Sequence, residues 1–175
     1  MDIVVDAVWY GLGLSLALVV VMVISSRIAM DMWVGDYPPD IKAKYGEMSA
    51  RAKQYRPLIA VLFFGAILVI IGLAFVNLHA NAGRDVGFFD YFLTAFTILF
   101  VFNLFDLLIA DWLVFVFIQP KIIILPGTEG MAGYKDYGFH FRGFLIGIGF
   151  SLVGGLVLAA AGWSVNWLLV LLGVV

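Results

Sequence analysis

Four long apolar stretches alternate with three polar connections along this 175-residue chain. The apolar stretches cover about residues 4–28, 58–78, 88–118 and 144–172. A helix needs about 20 apolar residues to cross the roughly 30 Å hydrocarbon layer of a bilayer, and each stretch reaches that length. The pattern predicts an all-α fold: one transmembrane domain, residues 1–175, in the form of a four-transmembrane-helix bundle.

The composition supports an integral membrane protein and excludes several kinds of chemistry. Hydrophobic residues make up 64% of the chain and charged residues 13%, against about 25% charged in soluble domains. With no cysteine, the chain cannot form a disulfide or hold an iron–sulfur cluster. Its two histidines, His79 and His140, fall on opposite sides of the predicted membrane, so haem ligation within one chain is disfavoured. We predict no cofactor and no nucleic-acid partner.

The Lys and Arg residues predict the orientation. Nine of the ten lie in or beside the first and third connections, residues 29–57 and 119–143, and the exception is Arg84. By the positive-inside rule these connections are cytoplasmic and both termini lie outside. We therefore expect a multi-pass protein of the plasma (inner) membrane.

The first connection carries an amphipathic pattern after Pro38 and Pro39. Apolar and aromatic residues recur there at spacings of three and four, at Ile41, Tyr45, Met48, Ala52 and Tyr55. The pattern predicts a short helix on the cytoplasmic membrane surface, and its basic residues would attract anionic lipid headgroups. The alternative is a solvated linker.

Three polar residues lie within the third apolar stretch. A carboxylate at the bilayer centre costs about 2.5–3.5 kcal/mol, so Asp106 and Asp111 are candidates for a proton carrier or a cation ligand. Asn103 precedes Asp106 by one helical turn and shares its face. Asp111 lies about 140° around an α-helix from Asp106, which predicts that the two carboxylates do not point at the same spot and disfavours a site built from these two alone. The alternative role is structural, with Arg27 as a candidate ion-pair partner of Asp111.

The third connection is rich in glycine and in charged residues. Its candidate ligand-binding side chains are Glu129, Asp136, His140 and Arg142. Glycine-rich backbone beside basic residues can bind an anion, whereas the carboxylates and the histidine could hold a divalent metal. The spacing fits neither a nucleotide motif nor a zinc motif, so both remain open, as does an ordered loop without a ligand.

Small residues repeat every four positions along the fourth apolar stretch, at Gly143, Gly147, Ser151, Gly155 and Ala159. On a helix they form one face that lets another backbone approach closely. This face predicts a helix contact, either with another helix of the chain or with a second copy or partner helix.

Three motifs lie within about residues 103–147: Asp106-x₄-Asp111-Trp112, Pro126-Gly127-Thr128-Glu129 and Phe139-His140-Phe141-Arg142-Gly143. Through these motifs this part of the chain resembles an uncharacterised family of small four-helix membrane proteins from bacteria and archaea. The resemblance implies a polytopic membrane protein and assigns no roles to residues.

These patterns favour a non-enzymatic membrane protein that binds a small cationic or lipidic ligand at its cytoplasmic mouth. Asn103 and Asp106 would form the floor of the site, and Glu129, His140 and Arg142 its lid. One alternative is a membrane-embedded enzyme acting on a lipid or isoprenoid headgroup, with His140 or Glu129 as acid–base group and Arg142 as phosphate clamp. Another is a scaffold or accessory subunit of a membrane complex.

Overall fold

The computed structural model describes residues 2–173, and helices dominate this range. The helices are α1 (Ile3–Ile28), α2 (Pro39–Tyr45), α3 (Ala50–Asn81), α4 (Phe88–Ile118) and α5 (Tyr137–Leu171), with short 3₁₀ segments at Met30–Asp36 and Ala132–Lys135. By length and composition α1, α3, α4 and α5 can each cross a membrane. The predicted all-α fold with four long apolar helices is confirmed.

Successive long helices run in opposite directions. One end of the bundle gathers Ile3 of α1, Leu78 of α3, Tyr91 of α4 and Ala159 of α5 into one apolar cluster. The opposite end, called the polar end below, carries residues 29–49 and 119–136. α4 packs against both α5 and α1, and α1 also packs against α3. The helices therefore follow the order α3, α1, α4, α5 around the molecule.

Glycines bring the helix backbones close together. A Cβ atom added at Gly11 of α1 would lie 2.7 Å from Cβ of Val101 on α4, so Val101 fills the space that Gly11 leaves. On α5, a Cβ added at Gly155 would lie 3.2 Å from the backbone of Phe96. Ser151 and Ala159 on the same face are buried. From Gly147 to Ala159 the small-residue face of α5 is thus a contact inside the chain, whereas Gly143 is exposed and a Cβ added there would meet no atom within 4 Å.

The polar end departs from the predicted surface helix. α2 ends at Gly46, whose φ of 89° lies outside the right-handed helical region and favours glycine. α3 then begins at Ala50, because the Ser49 hydroxyl accepts a hydrogen bond from the backbone N–H of Ala52 at 3.2 Å and caps the helix. The second half of the predicted surface helix is therefore the first two turns of α3, which begins eight residues before the apolar run at 58.

α5 also begins earlier than the hydrophobic pattern predicts. The Asp136 carboxylate accepts a hydrogen bond from the backbone N–H of Phe139 at 2.8 Å and caps the helix. The first turn of α5 therefore includes His140, which the sequence pattern placed in a loop. This extension fixes the position of the histidine relative to α4.

The connections at the polar end pack against each other. The Tyr37 hydroxyl donates to the Ile123 carbonyl at 2.8 Å, and the Gly133 N–H donates to the Asp40 carboxylate at 2.9 Å. An apolar cluster containing Tyr37, Phe115 and Tyr134 lies beneath these bonds. These contacts order both connections as a lid over this end of the bundle.

The last part of α4, Asp106–Ile118, is a π-helix of 13 residues. Its hydrogen bonds join residues five apart instead of four. At its end the backbone N–H of Gln119 donates to the carbonyl of Val114 at 2.9 Å, and Gln119 then leaves the helix with a left-handed φ of 50°. The usual π-helical segment is a single turn and is often found at functional sites. The residues of this longer segment are therefore candidates for a functional site.

An acidic cavity as candidate functional site

The π-helix places Asp106 and Asp111 on the same side of α4. A π-helix has about 4.4 residues per turn, so residues five apart are offset by about 50° around the axis, against about 140° in an α-helix. Both line the same cavity at the polar end. The angle of about 140° expected between them assumed α-helical geometry throughout, and the π-helix brings both carboxylates to one cavity together with eight other lining residues.

The cavity has a volume of about 320 Å³ and lies between α4, α5 and the 3₁₀ segment after α1. Its lining consists of Gly35, Asp36, Asn103, Asp106, Leu107, Asp111, Phe139, His140, Gly143 and Phe144. Three carboxylates and one imidazole thus surround one space. We call it the acidic cavity.

His140 lies beside Asp111 at ion-pairing distance. Its Nδ1 lies 2.9 Å from Oδ1 of Asp111, and the histidine is only 5% exposed. The other ring nitrogen, Nε2, is buried and has no hydrogen-bond partner among the described residues. The ring packs against Phe115, with ring centroids 4.8 Å apart. A buried polar atom without a partner is costly and uncommon, so His140 is held in place at a cost to stability.

Asp36 is a member of the acidic cavity that the sequence pattern did not single out. It ends the 3₁₀ segment Met30–Asp36 and retains an exposed side. Crowding by protein atoms raises the pKa of its carboxyl, the charges of Arg56 and Lys42 lower this pKa, and the charge of Asp111 raises it. In the sequence Asp36 looks like one more charge in a polar connection, and only the folding of that connection against α4 reveals it.

Asn103 links α4 to α5 at the edge of the acidic cavity. Its side-chain amide donates a hydrogen bond to the Phe144 carbonyl at 3.0 Å. Its carboxamide also occupies the space beside Gly147, where an added Cβ would collide with it. Asn103 therefore positions α5 and also lines the cavity beside Asp106, the two residues that the sequence pattern placed at the floor of the site.

The structure places three other candidate residues away from the acidic cavity. Glu129 is exposed, and its carboxylate accepts a hydrogen bond from the backbone N–H of Gly127 at 3.2 Å. The Arg142 side chain is 68% exposed and lies 3.9 Å from Asp136. Arg27 is exposed at the end of α1, and the ion-pair partner of Asp111 is His140 instead.

A preformed metal site is not evident in the part of the chain that the structure describes. Within residues 2–173 no group of three or more His, Asp or Glu side chains is arranged to hold one metal ion. The carboxylates of the acidic cavity instead surround an open space. That arrangement suits a molecular ligand larger than a single metal ion.

Comparisons with known proteins add no assignment to this geometry. No protein-family model, no curated protein and no solved structure matches the chain. The resemblance of residues 103–147 to a family of small membrane proteins stays a prediction from sequence. The functional argument therefore depends on the acidic cavity itself.

Proposed function

We propose that this multi-pass membrane protein binds a small organic cation in the acidic cavity. One observation carries the proposal: Asp36, Asp106, Asp111 and His140 line one cavity of about 320 Å³ to which no Lys or Arg of the described chain contributes. A cavity with this lining attracts positive charge and repels anions such as free phosphate.

The electrostatic argument begins with the cost of placing carboxylates close together. Like charges near one another in a medium less polar than water repel strongly, and each is also penalised for leaving water. His140 can compensate Asp111 when it is protonated. Asp106 has no ion pair or side-chain hydrogen bond among residues 2–173, so a bound cation would supply its missing partner.

The size and the aromatic residues favour an organic cation over a bare metal ion. Ligand cavities in proteins typically measure about 300–1,000 Å³, and this one lies at the lower end of that range. Phe139 and Phe144 line it beside the carboxylates. Aromatic faces attract ammonium groups within about 6 Å, so amines and quaternary ammonium compounds are the preferred ligand class.

The charge distribution suggests the compartment from which the ligand comes. By the positive-inside rule the polar end, with most of the Lys and Arg residues, faces the cytoplasm of a cell whose plasma membrane holds the protein. The acidic cavity would then bind a cytoplasmic cation at the membrane surface.

The test is a binding titration with the full chain in mild detergent. Isothermal titration with tetramethylammonium and with putrescine should show saturable binding, and Asp106→Asn should weaken it at least about ten-fold because a charge-assisted contact is lost. Asp85→Asn, the same substitution at an exposed position on the opposite end, should leave binding unchanged. Failure of both probes to bind the wild type, or equal binding by Asp106→Asn, would contradict the proposal.

A membrane-embedded acid–base enzyme is the second candidate, because one observation favours it. A histidine whose Nδ1 is held by a carboxylate has the geometry of an oriented general base. The predicted phosphate clamp, Arg142, does not line the acidic cavity. Turnover of a phospholipid or an isoprenoid phosphate that His140→Gln abolishes would establish this alternative, whereas binding without turnover supports the cation-binding proposal.

A further inference from the structure

We propose that a second site, a groove beside the start of α3, binds the headgroup of an anionic phospholipid. The groove has a volume of about 570 Å³ and lies on a different side of the 3₁₀ segment from the acidic cavity. Its lining consists of Val34, Gly46, Glu47, Met48, Lys53, Arg56, Pro57 and Ala60, so two basic side chains face one carboxylate. We call it the basic groove. It shares no lining residue with the acidic cavity.

The positive charges of the basic groove are available to a ligand. Lys53 and Arg56 are three residues apart on α3, so they project from neighbouring positions on one face. Arg56 is exposed and has no ion pair in the described chain. Lys53 lies 2.6 Å from Glu47, but the two side chains are 56% and 87% exposed. An ion pair this exposed contributes little, so Lys53 can exchange Glu47 for a phosphate.

The apolar part of the groove distinguishes a lipid from a free phosphate. Val34, Met48, Pro57 and Ala60 form its floor. Beyond Pro57 the outer face of α3 is apolar and exposed, with Leu58 53% and Val61 68% exposed. A phosphate held by Lys53 and Arg56 would therefore have its acyl chains directed along an apolar helix surface.

The position of the groove along α3 matches the layering of a bilayer. The basic residues precede Pro57, and the uncharged apolar run of α3 follows it. Phosphates of a leaflet lie directly above the hydrocarbon layer, where they attract basic residues next to a transmembrane helix. The basic residues, the apolar lining and the position of the groove along α3 thus all favour a phospholipid whose headgroup has a net negative charge.

Native mass spectrometry of the full chain in detergent tests the assignment. With dioleoylphosphatidylglycerol we expect one tightly bound lipid per chain, and with dioleoylphosphatidylcholine much weaker binding. Lys53→Gln and Arg56→Gln should each weaken the binding of phosphatidylglycerol about five-fold. Glu47→Gln should strengthen it, because Lys53 then loses its competing carboxylate.

Arg51→Gln is the matched control. Arg51 is an exposed basic residue on the same helix, but it lies about 140° around from Arg56 and outside the groove lining. Its loss should change the affinity by less than about two-fold. Arg56→Lys should retain most of the binding, which separates lost charge from damaged folding.

Three outcomes would overturn the assignment. Arg51→Gln could weaken binding as much as Arg56→Gln does, which would indicate attraction by net charge alone. Phosphatidylcholine could bind as tightly as phosphatidylglycerol. Glycerol 1-phosphate, which has no acyl chains, could displace the lipid at equal concentration, which would indicate an anion site without lipid recognition.

Discussion

The three aspartates of the acidic cavity differ in what compensates their charge. Asp111 has His140 at 2.9 Å. Asp36 keeps an exposed side and lies within the influence of Arg56 and Lys42. Asp106 is half-buried and forms no ion pair among the described residues. Cation binding should therefore depend most on Asp106, the most enclosed carboxylate of the cavity without an ion pair.

Asp36 gives a prediction about pH and stability. Burial raises the pKa of its carboxyl from the ordinary 3.8, so its ionised form is less favourable in the folded protein than in the unfolded chain. Its contribution to stability is present below pH 3.8 and is lost as the pH rises through the folded-state pKa. Asp36→Asn should therefore be more stable than wild type at about pH 7, by less than about 1 kcal/mol because Asp36 remains partly exposed to solvent.

Thermal unfolding in detergent between about pH 3 and pH 8 measures this difference. The stabilities of the two proteins should become equal at the lowest pH, where position 36 is uncharged in both. Asp85→Asn serves as the control, since Asp85 is exposed at the opposite end. A wild type that is more stable than Asp36→Asn at neutral pH would refute the argument.

Hydrophobic length predicts the secondary structure of this chain well and its finer geometry poorly. An apolar run long enough to span a bilayer specifies a helix, so α1, α3, α4 and α5 are readable from sequence. Gly46 interrupts the predicted surface helix through its positive φ, a conformation that apolar spacing does not encode. The π-helical register of Asp106–Ile118 is likewise absent from the hydrophobic pattern, because every residue around the aspartates is apolar.

The candidate site was partly predictable for the same reason. Asn103, Asp106 and Asp111 stand out as polar residues within an apolar run, and His140 follows in the next charged segment. Asp36 could not be recognised, because its importance comes from the docking of the polar connections. Glu129 and Arg142 are suggested by residue type alone, which does not specify that Glu129 is exposed or that Arg142 lies on the exposed side of α5.

Glycine contacts between helices give a prediction at the scale of elements. Gly11→Ala would place a Cβ 2.7 Å from Cβ of Val101 and 3.1 Å from the Ile98 carbonyl oxygen, so α1 and α4 must separate. We expect a loss of about 1–3 kcal/mol in the free energy of unfolding. Gly13→Ala on the same helix meets no atom within 4 Å and should be neutral or stabilising by up to about 1 kcal/mol.

Thermal unfolding of both variants in the same detergent provides the comparison. Equal stabilities of Gly11→Ala and Gly13→Ala would mean that the close approach of α1 and α4 does not contribute to the stability of the fold. The pair isolates packing, since both substitutions add the same methyl group to the same helix.

On the scale of the whole molecule, the bundle has two differently built ends. The polar end is a docked assembly of two connections, held by side-chain to backbone hydrogen bonds and by the Tyr37, Phe115 and Tyr134 cluster. The opposite end is a short turn, residues 82–87, fixed by the Arg84 guanidinium, which donates to both Asp90 oxygens at 2.7 Å. Both candidate binding sites lie at the polar end, so ligand binding should depend on how well its connections are ordered.

Tyr134 is the residue whose loss should loosen that end. Its hydroxyl accepts a hydrogen bond from the Leu125 N–H at 3.0 Å and lies 2.7 Å from the Thr128 hydroxyl, and its side chain is 1% exposed. Tyr134→Phe leaves the Leu125 N–H buried without a partner, which costs about 1–3 kcal/mol. We expect trypsin to cleave the folded Tyr134→Phe variant after Lys121 and Lys135 faster than it cleaves the wild type.

Tyr137→Phe is the control for this experiment. Tyr137 is 45% exposed, and its hydroxyl makes no hydrogen bond in the described range. Cleavage rates in proteoliposomes should match wild type for Tyr137→Phe and exceed it several-fold for Tyr134→Phe. Unchanged cleavage of Tyr134→Phe would show that the buried hydrogen bonds do not hold the connections.

The glycine contacts on both sides of α4 also restrict how this protein can move. Val101 sits in the gap at Gly11, whose neighbours along the same face of α1, Ala7 and Ser15, carry side chains. The backbone at Phe96 is held in the same way by Gly155 on α5. Piston-like sliding of α4 would push these groups against filled positions. We therefore expect the acidic cavity to open by movement of the π-helical end, of the first turns of α5 or of the docked connections.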